Sequence, residues 1–294
     1  MQPNLAMAAW LFLGVVWGTN FIFMKWATDL ISPSQVVLVR VATGLLPIMV
    51  WAAVKRQLRL KHFSHIRHFF VMACLAAAIY YYGFVKGTSL LPSGIAGAIS
   101  GAIPLFALIV AVVFLPEERL SRHRVAALLV GFLGVFLIAK PFEENIGSTS
   151  IAGTLYIIMG SMSLGMSFVY ARKFIVPLQI PVAALTTYQL GLAVLVLSVV
   201  TDFEGITGIV TDQQALWGLV LGLGVFGTGL AYITYYYIVE KLGAVRASSV
   251  TYLPPIVALL IGSVFAGEPI TGMDYVAAGL ILGGVFLLNR KVKT

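Results

Sequence analysis

The stretch SVTYLPPIVALLIGSVFAGE, residues 249–268, decides how the chain is read. It is almost wholly apolar and long enough to cross a bilayer, yet Pro254 and Pro255 stand side by side within it. A proline inside a helix removes a backbone hydrogen bond and clashes with the preceding turn, at about 3 kcal/mol. A membrane-crossing helix with two of them needs a reason for the break.

The rest of the chain has the same character. Of its 294 residues, 60% are hydrophobic and 10% charged, against about 25% charged in a soluble domain. Too few polar side chains exist to cover a water-facing surface. Apolar runs of about 20 residues, the length that spans about 30 Å of hydrocarbon, recur throughout. They predict an all-α polytopic membrane protein with spans at 5–25, 34–54, 67–88, 92–115, 122–140, 150–171, 181–201, 215–238, 244–266 and 271–289. The opening MQPNLAMAAWLFLG lacks a basic n-region, so the first run is expected to stay as a helix.

Basic residues orient these spans. Lys55, Arg56, Arg59, Lys61, Arg67, Arg119, Arg122, Arg124, Arg172, Lys173, Lys241, Arg246, Arg290, Lys291 and Lys293 fall on one side; Lys25, Lys86 and Lys140 fall on the other. The positive-inside rule makes the first side cytoplasmic and puts both termini there. The expected location is a bacterial inner membrane. The net charge of +8 is then a topology signal, and since the basic residues hug span ends, no nucleic-acid partner is expected.

The quoted stretch has a counterpart. In SGIAGAISGAIPLFALIVAVVFLPEERL, residues 93–120, Pro104 aligns with Pro255 and Glu117 with Glu268 at one offset. LGVFLI (133–138) matches GGVFLL (283–288), and GTNFIFMKWA (18–27) resembles GMSFVYARKF (165–174). The chain is thus a five-span unit used twice, 1–142 and 150–294, joined near PFEENIGSTS. Five is odd, so the second copy is expected to enter the membrane inverted, with a central cavity between the halves. Inverted repeats with Gly- or Pro-interrupted helices are a signature of secondary transporters. Pro104, Pro254, Pro255 and the neighbouring Gly101 are the expected hinge; the plainer alternative is a static kink that shapes packing.

The two segments from LLPSGIAG and KLGAVRAS to their closing Gly-rich helices carry small residues, a central proline and a following glutamate. In this they resemble the EamA domain of the drug/metabolite transporter superfamily. The resemblance covers nearly the whole chain and is nearest to the ten-span exporter branch, which includes bacterial amino-acid exporters of the YddG type. It implies export of small metabolites, most plausibly amino acids, by alternating access. A drug or cation exporter, or a flippase for a lipid-linked substrate, is the alternative. The implied partners are a small-molecule substrate and membrane lipid, and the chain is expected to act as a monomer or weak homodimer.

Residues that could line a path are Trp17, Asn20, Tyr81, Tyr82, Ser100, Ser163, Tyr232 and Thr251, with hydroxyls for an amino acid's backbone groups and rings for its side chain. The tyrosines in YYYGF and YITYYY could equally form an interfacial belt. Arg40, inside the second span, and Lys86 are possible carboxylate contacts; Arg40 could instead snorkel or pair with Asp29. All eleven acids lie in connections or at span ends, so no mid-depth carboxylate offers a proton relay. His62, His65 and His68 share a spacing but no acid or cysteine joins them, and they are expected in a solvated loop, with no metal and no cofactor. Cys74 is alone and implies no redox chemistry. With neither a phosphate-cradling loop nor an acid–base group inside the spans, neither an ATP-driven pump nor an enzyme is indicated. GxxxG pairs Gly14/Gly18, Gly97/Gly101, Gly218/Gly222 and Gly279/Gly283 read as packing seams.

Overall fold

In lipid every backbone N–H and C=O must be satisfied within the chain, and a helix does this residue by residue. The computed structural model follows that rule: it describes residues 2–115, 120–139, 147–243, 247 and 249–289, and the regular elements among them are helices. Nine are long and apolar enough to cross a membrane: α1 Leu5–Thr28, α2 Pro33–Val54, α3 Leu60–Leu90, α4 Ser93–Phe114, α5 Arg122–Ala139, α6 Ile151–Leu178, α7 Val182–Val200, α8 Gln213–Leu242 and α10 Gly272–Asn289. The tenth, α9 Ser249–Phe265, is shorter. At 1.5 Å per residue it rises about 25 Å, just under the hydrocarbon thickness.

Several boundaries differ from the sequence reading, for local reasons. A 3-10 lead-in, Leu60–His65, starts α3 earlier than expected, and a wide π turn, Ala171–Ile175, carries α6 further. Chain breaks follow capping chemistry. Ser32 caps α2 in a capping box with Gln35, and Pro33 fits the first turn, where its missing N–H costs nothing. Glu117, Glu118, Arg119, Lys140, Glu143, Glu144, Arg246, Ser248, Arg290, Lys291 and Lys293, and the proposed joint at 141–146, lie outside the described residues.

Helices in lipid gain little from hydrophobicity and associate by close contact. The principal contacts are α5 with α10, α2 with α7 and α8, α3 with α6 and α7, α1 with α8 and α9, and α4 with α6 and α9. Exchanging the first five helices for the last five maps this set onto itself. Aligned glycines make matching seams. A methyl on Gly134 would strike Ala277 O and the Ile281 backbone, and one on Gly284 would sit 2.7 Å from Ala127 O and 2.6 Å from Gly131 N. Gly18 abuts Val257 and the Pro254 carbonyl, while its aligned partner Gly165 abuts Ala107.

The expected GxxxG seams hold at Gly14, Gly18, Gly97, Gly101, Gly218 and Gly222, each of which faces another helix. Gly279 and Gly283 correct the reading: nothing lies within 4 Å of a methyl at either, and Gly284 makes the α10 seam instead. The pair reads as a motif by spacing alone, but the rotation of α10 turns it away from α5.

The histidines also depart from a solvated loop. His62 is buried, edge-on to Tyr188 at 5.8 Å, and His68 Nδ1 lies 2.8 Å from the Tyr170 hydroxyl. They tie the start of α3 to α6 and α7. Cys74 is free and half-buried.

Candidate functional site

The helix interruptions position the site. α4 is helical over Ser93–Ser100 and again over Ile103–Phe114, with a turn at Gly101 and Ala102 between. Pro104 opens the second segment, where no N–H is needed. α9 begins as a 3-10 turn, Ser249–Tyr252, and becomes α-helical at Leu253, with Pro254 and Pro255 in the first turn. Each proline thus follows a break instead of sitting in a helix interior, which removes the cost it would otherwise carry. The breaks touch: a methyl on Gly101 would lie 3.0 Å from Pro255 Cγ, and Gly97 meets Ala258.

Two further irregularities lie in α3 and α8, which correspond in the internal alignment. A π segment, Cys74–Ala78, precedes the tyrosines of α3; another, Gly218–Leu230, precedes those of α8. Wide π turns are common at functional sites because they re-aim side chains and free carbonyls. The freed groups find partners. Thr228 Oγ1 donates to Leu223 O at 2.9 Å, and Ser163 Oγ on α6 donates to Leu75 O at 2.7 Å.

Arg40 lies between the irregular stretches of α3 and α8. It is 4% exposed; its Nε donates to Thr228 Oγ1 at 3.1 Å, Nη1 points at Met24 Sδ at 3.9 Å, and its guanidinium carbon lies 4.0 Å above the Tyr81 ring. A desolvated cation–π contact is worth about 2 kcal/mol, and burying an ion costs several. Neutral partners therefore offset only part of the burial. The expectation of a snorkelling or Asp29-paired arginine is corrected: Asp29 is exposed at the end of α1, while Arg40 is enclosed among α1, α2, α3 and α8.

The tyrosines extend from Arg40. Tyr81 is buried and its ring lies 4.7 Å from that of Tyr80. Tyr232 adjoins Tyr81 and Tyr80 and lies 6.1 Å from Tyr236, whose hydroxyl is 2.6 Å from Thr186 Oγ1 on α7. Tyr80, Tyr232 and Tyr236 are half-buried and pack against the main apolar core. These positions disfavour the interfacial-belt alternative for this group.

The other expected residues divide. Asn20 is buried beside Gly227, next to the Thr228 that holds Arg40, and its Oδ1 has no hydrogen-bond partner. Trp17 leaves the group and packs on Tyr235 at 6.1 Å; Tyr82 turns to Tyr156 at 6.3 Å. Ser100 and Ser163 spend their hydroxyls on backbone carbonyls. Thr251 is exposed, on the turn that opens α9. Lys86 is half-buried near the end of α3, and its ammonium joins none of the bonds that hold Arg40. The sequence reading missed Thr186 and Thr228, and it preferred Tyr81 and Tyr232 to their neighbours Tyr80 and Tyr236. Tyr236 was findable: it stands four residues from Tyr232, hence on the same helix face.

At one end of the bundle, side chains from one helix tie the backbone of another. Both oxygens of Glu268 accept from the first turn of α4, Ser93 N at 2.7 Å and Gly94 N at 2.9 Å. Lys25 Nζ donates to Ser89 O and Leu91 O at 3.2 and 3.3 Å, where α3 ends. Gln35 Nε2 donates to Asp202 O and Glu204 O, both at 2.7 Å. A cleft of about 690 Å³ lies elsewhere, between α1 and α8, walled by Phe12, Phe23, Trp26, Trp217 and Phe226 with Gln213 and Gln214.

Known proteins share this plan. The EamA-like transporter family matches residues 5–140 and again residues 151–290. An uncharacterized transporter of Archaeoglobus fulgidus is 24% identical over 97% of this chain and 100% of its own length. The uncharacterized transporter YoaV of Bacillus subtilis is 22% identical over 93% of this chain and 92% of its own. The uncharacterized inner membrane transporter YedA of Escherichia coli is 26% identical over 67% of this chain and 62% of its own. One solved crystal structure superposes with a TM-score of 0.62 at 20% identity over 97% of both chains, which shows a shared fold. With its helices, its two matched halves and these relatives, the chain is a multi-pass membrane transporter belonging to the EamA-like transporter family.

Proposed function

We propose that the protein exports small metabolites, most plausibly amino acids, across a bacterial inner membrane by alternating access. The observation that carries this is the pair of broken helices, α4 and α9, which meet at Gly101 and Pro255, in a bundle that also encloses an arginine and four tyrosines. Transporters place such discontinuous helices at the substrate site between repeats. The reciprocal seams at Gly134 and Gly284 support a twofold repeat, 1–142 and 150–294, and the asymmetry of the basic residues supports its inversion, with both termini cytoplasmic. In this reading Pro104 and Pro254–Pro255 let α4 and α9 bend in turn. Tyr80, Tyr81, Tyr232 and Tyr236 hold the side chain of the cargo, and Asn20 Oδ1 offers an acceptor to its ammonium group.

The lateral cleft between α1 and α8 favours a second reading, flipping of a lipid-linked substrate. It opens between apolar and aromatic walls but carries no charged group for a headgroup, so acyl chains are its natural filling. A cation exporter fits poorly with Arg40 enclosed in the bundle.

The test is counterflow of labelled aromatic and neutral amino acids in proteoliposomes, with and without a pH gradient. Saturable uptake that unlabelled amino acid blocks is expected. Pro254→Ala with Pro255→Ala should slow it several-fold while leaving KM in place, because the prolines act on bending and not on contact. Lipid scrambling without amino-acid uptake would replace the export reading with the flippase.

A further inference from the structure

The three partners of Arg40 are neutral: a hydroxyl, a thioether and an aromatic face. A guanidinium carries five N–H donors, forked to match a carboxylate. Here Nε meets a good acceptor and Nη1 a weak one, and no acceptor among the described residues meets Nη2. Among the described residues no Asp or Glu makes a hydrogen bond or ion pair with Arg40. An ionisable group this deep in a membrane protein is costly and is normally paired.

We propose that Arg40 is the seat for a substrate carboxylate, with Tyr81 fixing the plane of the guanidinium, and that a carboxylate is the obligatory feature of the cargo. This deepens the transport reading of the same site. The Tyr81 ring covers one guanidinium face, Thr228 holds Nε and Met24 one hydrogen of Nη1; Nη2 and the second hydrogen of Nη1 are left for the two oxygens of a carboxylate. The Tyr80–Tyr232–Tyr236 rings lie adjacent, where the rest of an amphipathic acid would rest. Substrate charge would then complete an ion pair that the protein leaves half-made. The seat discriminates by unpaired charge: an amine without the carboxylate would place a second cation beside Arg40.

Three probes test this on the full-length protein in proteoliposomes: an aromatic amino acid, its decarboxylated amine and its deaminated carboxylic acid. The amino acid and the acid should compete with labelled amino acid, and the amine should not. Arg40→Gln should raise KM at least tenfold, and Arg40→Lys should recover part of that because it keeps charge but loses the fork. Melting of the purified protein supplies a second readout. Carboxylate should raise Tm in the wild type and not in Arg40→Gln, and the ligand-free Tm of Arg40→Gln should be unchanged or higher, since an unpaired buried cation is removed. If Arg40→Gln does not fold, a several-fold rise in KM for Arg40→Lys carries the same expectation. An unchanged KM in Arg40→Gln, an amine that competes as well as the amino acid, or a ligand-free Tm lowered by about ten degrees would overturn the seat. If no amino acid is moved but the simple acid stabilises the wild type and not the variant, the amino-acid reading falls and the seat stands.

Discussion

Gly284→Val will destabilise the protein by about 3 kcal/mol or more, while Gly283→Val, one residue earlier, will leave stability within about 0.5 kcal/mol. The difference comes from what each side chain would meet. A Cβ at Gly284 would sit 2.6 Å from Gly131 N and 2.7 Å from Ala127 O, both backbone atoms that cannot rotate away. α5 and α10 would have to separate along their whole contact. The reciprocal contact at Gly134 would be lost with it. A Cβ at Gly283 meets nothing within 4 Å. Thermal unfolding in detergent reads both variants. Equal melting temperatures for the two would show that α5 and α10 do not pack through this seam. A loss of 3 kcal/mol lowers the folded-to-unfolded ratio by about two orders of magnitude, a large share of a typical stability.

Glu268→Gln is expected to open the junction between α9 and α4. The carboxylate bonds two backbone amides at a helix N-terminus, and each bond to a charged group is worth about 1.5–3 kcal/mol. The dipole of α4 adds to this. Glutamine keeps one acceptor and turns an NH2 toward the second amide, so it loses one bond and sets donor against donor. The effect is read with a cysteine at Ser93, which is 1% exposed and whose backbone amide is unaffected by the exchange. In a Cys74→Ser background, maleimide should label Ser93→Cys at least tenfold faster when Glu268 is glutamine. An unchanged labelling rate with a lower Tm would make Glu268 a helix cap and nothing more. Its aligned counterpart, Glu117, lies outside the described residues.

Three ties act at this end of the bundle, from Glu268, Lys25 and Gln35, and each joins a side chain to another segment's backbone. Those three residues lie on the side that the positive-inside rule would assign to the exterior. Alternating access would need them to release together, and the breaks at Gly101–Ala102 and Ser249–Tyr252 are where α4 and α9 could absorb the change.

The sequence by itself determined the class, and it pointed to about ten spans and to an internal repeat. Those properties follow from length, apolar content and the spacing of prolines and glutamates, which act through solvation and local backbone geometry. It also pointed to Pro104 and Pro254–Pro255, because a proline writes its break into the chain wherever it stands. Tertiary structure alone decided which side chains meet. Helix rotation separated Gly284 from Gly283, carried Tyr236 and Tyr80 inward and left Thr251 exposed. It spent the hydroxyls of Ser100 and Ser163 on carbonyls, Ser163 on one freed by a π turn that no residue pattern announces. Above all it decided Arg40. The sequence shows an arginine two turns inside an apolar span; whether it reaches the headgroups or stays unpaired inside the bundle depends on which face of α2 meets α8, and that is set by packing between segments nearly two hundred residues apart.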